Sequence, residues 1–144
     1  MLKVLMATDG SQHAERGLGH LNGLIEQGGL FSADAEVHLL NVPLCLPSRI
    51  TRHMAEQELS DLSAAHSTSA CQSAVELLQQ AGIAYTRHTH VGAPGMEIVD
   101  CANELQCQGI VMGSHGAGLT LGVLLGSVAS EVIKHTSLAV TLVK

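Results

Sequence analysis

The chain has 144 residues, of which 46% are hydrophobic and 14% charged, and its formal net charge is −6 at neutral pH. This length fits one domain with a sizeable core, residues 1–144, and no apolar run reaches the roughly 18 residues of a membrane span. The seven basic residues are scattered, and one Tyr and one Phe are the only aromatic residues, so neither a phosphate backbone nor unpaired bases meet a matching surface. We therefore expect a soluble domain with no nucleic-acid and no membrane partner.

The first part of the chain predicts two buried strands separated by a helix. Leu2–Ala7 is an apolar run that stops at Thr8-Asp9-Gly10, which is typical of a buried parallel strand followed by a turn. Ser11 is a suitable N-cap for a helix that ends at Gly28-Gly29. A second apolar run, Glu36–Val42, predicts the next strand.

The rest of the chain continues the alternation of helices and strands. Thr51–Gln80 lacks Gly and Pro and predicts a long helix, after which Ile83–Val91 predicts a more polar strand. Pro94 suits the first turn of the following helix. The remaining predicted elements are a strand containing Ile110, Val111 and Met112, a helix from Gly126 to His135, and a last strand, Leu138–Val143.

This alternation predicts an α/β fold, a single doubly wound five-stranded parallel sheet with helices on both faces and right-handed crossovers. A central first strand gives the strand order 3-2-1-4-5. Ligands of such sheets bind beyond the carboxyl ends of the strands, where the winding reverses. The reversal falls between strands one and four, so Thr8-Asp9-Gly10 should face the segment from Gly113 to Gly118 across one crevice.

The segment following the fourth strand is rich in glycine. Glycines stand at 113, 116, 118 and 122, and Gly126-Ser127 then opens a helix. Glycines leave backbone amides uncovered, and a helix N-terminus adds free donors and a partial positive charge, so this segment is suited to bind a phosphate. A flexible surface loop is the alternative for a glycine cluster alone.

These glycines carry a family resemblance. Gly113, Gly116, Gly126 and Ser127 match the pattern G-x2-G-x9-G-[ST], and on this motif the chain resembles the ATP-binding branch of the universal stress protein family. The flanking segments VLMATDGS, HLLNV, VGAPGMEIVDCA and GSVASEVIKHTSLAVTLVK extend the resemblance over the whole chain, as one universal stress protein domain with an adenine nucleotide alpha hydrolase-like fold.

The resemblance implies ATP, with or without Mg²⁺, as the ligand. Residues near the ends of the first two strands would hold the base and ribose, and the glycine segment would hold the phosphates through its amides. Asp9 either contacts the nucleotide or Mg²⁺, or caps the first helix. The implied binding residues are Ala7, Thr8, Asp9, Val42, Met112, Gly113, His115, Gly116, Gly126, Ser127 and Val128, with no catalytic residue among them.

One departure from the family concerns charge. Family members often carry a basic residue where Ala117 stands, whereas residues 117–125 contain no Lys or Arg. Phosphate binding would then depend on backbone amides, the helix terminus, a metal ion and His115. Arg49 and Arg52, in the loop after the second strand, are candidate sources of the missing charge.

Histidines and cysteines suggest further sites. His88 and His90 share one face of the third strand, and His13 and His20 share one face of the first helix, but no third ligand stands nearby, so we predict no metal site and a solvated edge strand. Cys101 and Cys107 are expected on different faces of one helix. The four cysteines form no C-x-x-C pair and are expected to be buried, reduced thiols, which favours the cytoplasm.

The last strand bears on assembly and function. Leu138–Val143 is an apolar edge without a charge, and such an edge aggregates unless it is paired. We therefore predict a homodimer through this strand. Three functions stay open: an ATP-binding stress-response protein that acts through nucleotide-dependent partner interaction, a slow Mg²⁺-dependent ATPase or phosphotransferase, and a dimeric scaffold without a nucleotide.

Overall fold

A computed structural model describes residues 2–8, 34–42, 52–113 and 125–143, and the first predicted helix lies outside them. Within these ranges the chain forms five strands and three helices. In chain order they are β1 (Leu2–Ala7), β2 (Ala35–Asn41), α1 (Glu56–Gln80), β3 (Ala84–Thr89), α2 (Pro94–Glu104), β4 (Gly109–Gly113), α3 (Ser127–His135) and β5 (Ala139–Val143).

The five strands form one parallel sheet in the order β3-β2-β1-β4-β5. This is the strand order that the sequence predicts, with β1 in the centre and with the reversal of winding between β1 and β4. Met6 of β1 lies in register with Leu39 of β2 and Val111 of β4. The prediction of fold class and topology is therefore confirmed.

Helices cover both faces of the sheet, and each face has its own core. On one face α1 contributes Cys71, Ala74 and Leu78, which pack against residues of β1, β2 and β4. On the other face α2 and α3 pack around Leu5 and Ile110. Because both faces are covered, β2 is buried at nearly every position, although Glu36, His38 and Asn41 are polar.

The bounds of the elements differ from the predicted ones by a few residues. The long helix begins at Glu56 instead of Thr51, since residues 52–54 form a turn and Ala55 is the N-cap. It ends in a turn at Gly82, whose φ of 67° suits glycine. No helix among the described residues is long and apolar enough to cross a membrane.

Three of the four cysteines are described, and all three are buried and outside any disulfide. Cys101 lies on α2, but Cys107 does not, because the helix ends at Glu104 and Gln106 turns the chain with a φ of 56°. The prediction that both share one helix is therefore wrong. Burial raises the pKa of Cys101 to about 11 and raises that of Cys107 as well, so both thiols stay protonated at neutral pH.

Candidate functional site

The carboxyl ends of β1, β2 and β4 lie side by side at one edge of the sheet. Met6 pairs with Val111, so the next residues, Ala7 and Met112, reach the edge together. Thr8 directly follows β1 and is buried, and its amide donates a hydrogen bond to the carbonyl oxygen of Leu40 at 3.1 Å. The backbone directly after β1, where the winding of the sheet reverses, is thus hydrogen-bonded to β2.

Asn41, the last residue of β2, makes a second hydrogen bond to the residue after β1, and the sequence analysis did not predict this role. Its side chain is 1% exposed, and its Nδ2 donates to the carbonyl oxygen of Thr8 at 3.1 Å. Its own carbonyl oxygen accepts from the amide of His90 at 3.1 Å. An asparagine directly after the apolar pair Leu39-Leu40, at the end of the strand, was the signal that could have revealed this role.

The N-terminus of α3 is a group of backbone donors whose first turn carries no carboxylate. Gly126 is the N-cap, with φ −67° and ψ 161°, and no side chain of the described residues caps the helix. The first turn of α3 contains no acidic residue, whereas the first turn of α1 contains Glu56 and Glu58 and that of α2 contains Glu97. The amides of the first turn have no intrahelical acceptor, so this terminus is suited to an anion.

Four of the implied binding residues belong to one apolar cluster on the face that carries α2 and α3. Met112 is buried in this cluster, and Ala7, Val42 and Val128 pack against it from partly exposed positions. They come from three strand ends and from the first turn of α3, so the fold brings them together although the sequence separates them. The arrangement offers apolar surface next to the amides of α3.

Of the other predicted residues, the structure describes some and leaves others outside its described ranges. Gly113 ends β4 half-buried, and Ser127 is the exposed first residue of α3. Arg52 is exposed. The predictions for Asp9, His115, Gly116 and Arg49, and for the histidine pair of the first helix, fall outside the described residues.

A group of polar side chains lies across β2 and β3, on the face of the sheet that carries α2 and α3. We call it the histidine cluster, and it consists of Glu36, His38, His88, His90 and Glu97. Nδ1 of His38 and Nε2 of His88 are 3.0 Å apart, and Nδ1 of His90 lies 3.2 Å from Oε2 of Glu97. Nε2 of His38 lies 3.4 Å from Oε1 of Glu36 but makes no hydrogen bond.

The histidine cluster corrects the prediction for His88. His88 is not simply a solvated edge residue, since it contacts the buried ring of His38. Within residues 2–8, 34–42, 52–113 and 125–143, no group of three His, Cys, Asp or Glu side chains is arranged to hold a metal ion.

The comparison with protein families decides the identity of the fold. A family model described as the universal stress protein family matches residues 1–144. The chain belongs to the universal stress protein family. The resemblance inferred from the glycine motif is thereby confirmed for the family.

Curated relatives agree. The universal stress protein MJ0531 of Methanocaldococcus jannaschii is 27% identical over 143 residues, which cover 99% of this chain and 81% of the relative. The universal stress protein Sll1388 of Synechocystis sp. is 37% identical over 73 residues, and this match spans 51% of this chain and 47% of the relative.

Solved structures show the same architecture. The hypothetical protein MJ0577 is 32% identical, with a TM-score of 0.77 over 99% of this universal stress protein and 95% of that chain. More distant structures share the fold: one from Archaeoglobus fulgidus in complex with dAMP (23% identity, TM-score 0.67, covering 100% and 98% of the two chains) and one from Arabidopsis thaliana with AMP bound (17%, 0.71, 100% and 92%).

Proposed function

We propose that this universal stress protein binds an adenine nucleotide at the carboxyl edge of the sheet and works in the cytoplasm as a stress-response protein, through nucleotide-dependent interaction with protein partners. One observation carries the proposal: Val128, in the first turn of α3, packs against the same apolar cluster as Ala7 and Val42, to which Met112 belongs, and no described side chain caps this turn. A nucleotide needs this combination, because its base is largely apolar and its phosphates are anionic.

The phosphates would be held mainly by backbone donors. A hydrogen bond to a charged group contributes about 1.5–3 kcal/mol, and micromolar affinity requires about 8 kcal/mol. Three or four such bonds from the first turn of α3 and the glycine segment, together with burial of the base, reach that figure. Because residues 117–125 contain no Lys or Arg, we propose Mg-ATP as the preferred form, with the metal ion offsetting part of the phosphate charge.

Distant family members support the chemical class of the ligand. The proteins from Archaeoglobus fulgidus and Arabidopsis thaliana hold dAMP and AMP, and another universal stress protein, 19% identical with a TM-score of 0.56, holds cAMP. All three ligands contain adenine, whereas their phosphate groups differ. These three structures therefore support the adenine part of the proposed ligand, and not a particular phosphate group.

The direct test is to ask which nucleotide the protein carries and binds. Mass spectrometry of small molecules released from freshly purified protein should find an adenine nucleotide. Calorimetry with Mg-ATP, ATP without metal, ADP and AMP should give micromolar affinity for Mg-ATP and weaker binding without the metal. Absence of binding for all four ligands would contradict the proposal and would favour a scaffold without a nucleotide.

Assembly gives a second prediction, a two-fold homodimer through β5. This strand pairs only with β4 among the described strands and is apolar except for Thr141. In an antiparallel two-fold pairing, the middle residue of β5, Thr141, would lie near its own copy, so Thr141→Lys brings like charges together. We expect this variant to raise the dimer dissociation constant severalfold in light scattering at micromolar concentration.

The matched control is Thr86→Lys in the middle of β3, the other edge strand, where the side chain is exposed. It should leave the dimer intact, and circular dichroism should show that both variants fold. A monomeric wild-type protein at these concentrations would contradict the dimer.

A further inference from the structure

The histidine cluster has a geometry that depends on the number of protons it holds. His38 is 6% exposed, and its Nδ1 lies 3.0 Å from Nε2 of His88. This hydrogen bond needs a single N–H between the two nitrogens. If both carried hydrogen, the two hydrogens would lie about 1 Å apart, because an N–H bond takes up about 1 Å of that distance on each side. The contact therefore tolerates one hydrogen between Nδ1 of His38 and Nε2 of His88, and it must break when both rings are fully protonated, because each ring then carries hydrogen on both nitrogens.

The surrounding charges differ between the two rings. Glu36 faces His38 from the same strand at 3.4 Å, and Lys3 of β1 lies in register beside Glu36. No carboxylate among the described residues contacts His88. The pKa of His88 is lowered, first by burial and then by the charges of His38 and His90.

Among the described residues, two further groups lie near the cluster. From α2, Glu97 faces His90, and the thiol of Cys107 lies near enough to Lys3 and Glu36 to be affected by both. Since the pKa of this thiol is raised, it is neutral in the range where histidine titrates. Glu97 thus faces His90 and Glu36 faces Nε2 of His38, whereas no carboxylate among the described residues faces a hydrogen on His88.

The cluster is connected to the carboxyl edge of the sheet through the backbone. His90 follows His88 by two residues, and its amide donates to the carbonyl oxygen of Asn41 at 3.1 Å. The side chain of Asn41 in turn holds the carbonyl of Thr8. A displacement of β3 at His88 therefore reaches, within two hydrogen bonds, the residue that follows β1.

We propose that the contact between His38 and His88 is a proton-operated switch, which separates on acidification, loosens β3 from β2 and thereby weakens the nucleotide site. The last step rests on the proposed function, whereas the first two concern the sheet alone. The switch would make the binding state of this protein sensitive to the pH of its surroundings.

The sign follows from the lowered pKa of His88. Between the folded value and the ordinary value of 6.5, the unfolded chain binds more protons than the folded one, so the free energy of unfolding falls as the pH falls. The stabilising contribution is complete above the ordinary value and is lost as the pH drops through the folded value.

The experiment compares the wild type with His88→Gln in urea unfolding from about pH 8 to about pH 5. The Gln amide nitrogen takes the place of Nε2, donates to His38 and does not titrate. The unfolding equilibrium constant of the wild type should rise more steeply on acidification, with an upper limit of about tenfold per pH unit for one linked proton. His53→Gln, at an exposed turn before α1, should keep the wild-type slope.

A second variant and a spectroscopic measurement guard against a folding defect. His38→Asn places an amide nitrogen near the position of Nδ1 and should flatten the slope as His88→Gln does. In the unmutated protein, the imidazole nitrogen shifts of His38 and His88 should change together, in the same pH window as the stability. Equal slopes in wild type and both variants, or rings that keep their hydrogen bond throughout, would overturn the switch.

The coupling to the ligand is tested separately. We expect the dissociation constant for Mg-ATP to rise more between about pH 7.5 and about pH 5.5 in the wild type than in His88→Gln, a comparison that cancels the titration of the ligand itself. Unequal unfolding slopes with an equal pH dependence of affinity would overturn the coupling step. Absence of nucleotide binding at every pH would instead overturn the proposed site, and the unfolding slopes alone would then decide the switch.

Discussion

Replacing Ser127 with glutamate is expected to stabilise the fold while removing most of the nucleotide affinity. Ser127 is the exposed first residue of α3, and the first turn of this helix contains no acidic residue. A carboxylate at this position stabilises a helix by about 0.3–1 kcal/mol. The same carboxylate would repel the phosphates and compete for the amides. Loss of even one charge-assisted hydrogen bond, about 1.5–3 kcal/mol, lowers the affinity by roughly tenfold to more than 100-fold.

The opposite signs of the two effects make this variant informative, since a damaged fold would lower both quantities. Urea unfolding gives the stability, and calorimetry with Mg-ATP gives the affinity. The matched control is Ser137→Glu, the same substitution at an exposed position beyond the other end of α3, which should leave the affinity unchanged. Wild-type affinity in Ser127→Glu would mean that the phosphates do not lie at this helix terminus.

Much of the fold could be predicted because its signals are local. The bounds of β1, Leu2–Ala7, were predicted to the residue, since an apolar run ends there at a polar turn. The strand order also followed, because alternating strands and helices with right-handed crossovers leave few arrangements. Helix starts were less certain: Thr51–Gln80 contains no breaker, and only the turn at residues 52–54 sets the start of α1 at Glu56.

Contacts between distant residues could not be predicted in this way. Asn41 and Thr8 are 33 residues apart, and His38 and His88 are 50 residues apart. Whether such side chains meet depends on strand register and on which face each residue occupies. In the observed register Leu40 lies beside His88, so that His38, two residues earlier on the same face, reaches it diagonally. A shift by one residue would turn His88 to the opposite face.

Only part of the candidate site could be predicted from the sequence, for the same reason. The spacing of the glycines indicated a phosphate segment and a helix that begins at Gly126-Ser127, and the structure places the N-cap at Gly126. Sequence spacing could not show that Ala7, Val42 and Val128 pack against the same apolar cluster, because this depends on how the strands and α3 assemble. The roles of all these residues in binding remain predictions that the experiments above address.

The largest expected loss of stability is for Leu5→Ala. Leu5 is fully buried at the centre of β1, between His38 of β2 and Ile110 of β4 in register, and it belongs to the core beneath α2 and α3. Truncation of a buried leucine costs about 2–5 kcal/mol, because the cavity collapses only in part. The free energy of unfolding of a domain is about 5–15 kcal/mol, so this single change removes a large share of it.

The control for Leu5→Ala is Leu2→Ala on the same strand, where the side chain is 36% exposed and the expected loss is about 1 kcal/mol or less. Urea unfolding of both variants measures the difference, with the slope against urea showing whether both unfold as one cooperative unit. Similar losses for both would mean that this core is less tightly packed than its burial indicates. A large loss confined to Leu5→Ala would show that the core beneath α2 and α3 depends on the centre of β1 for its stability.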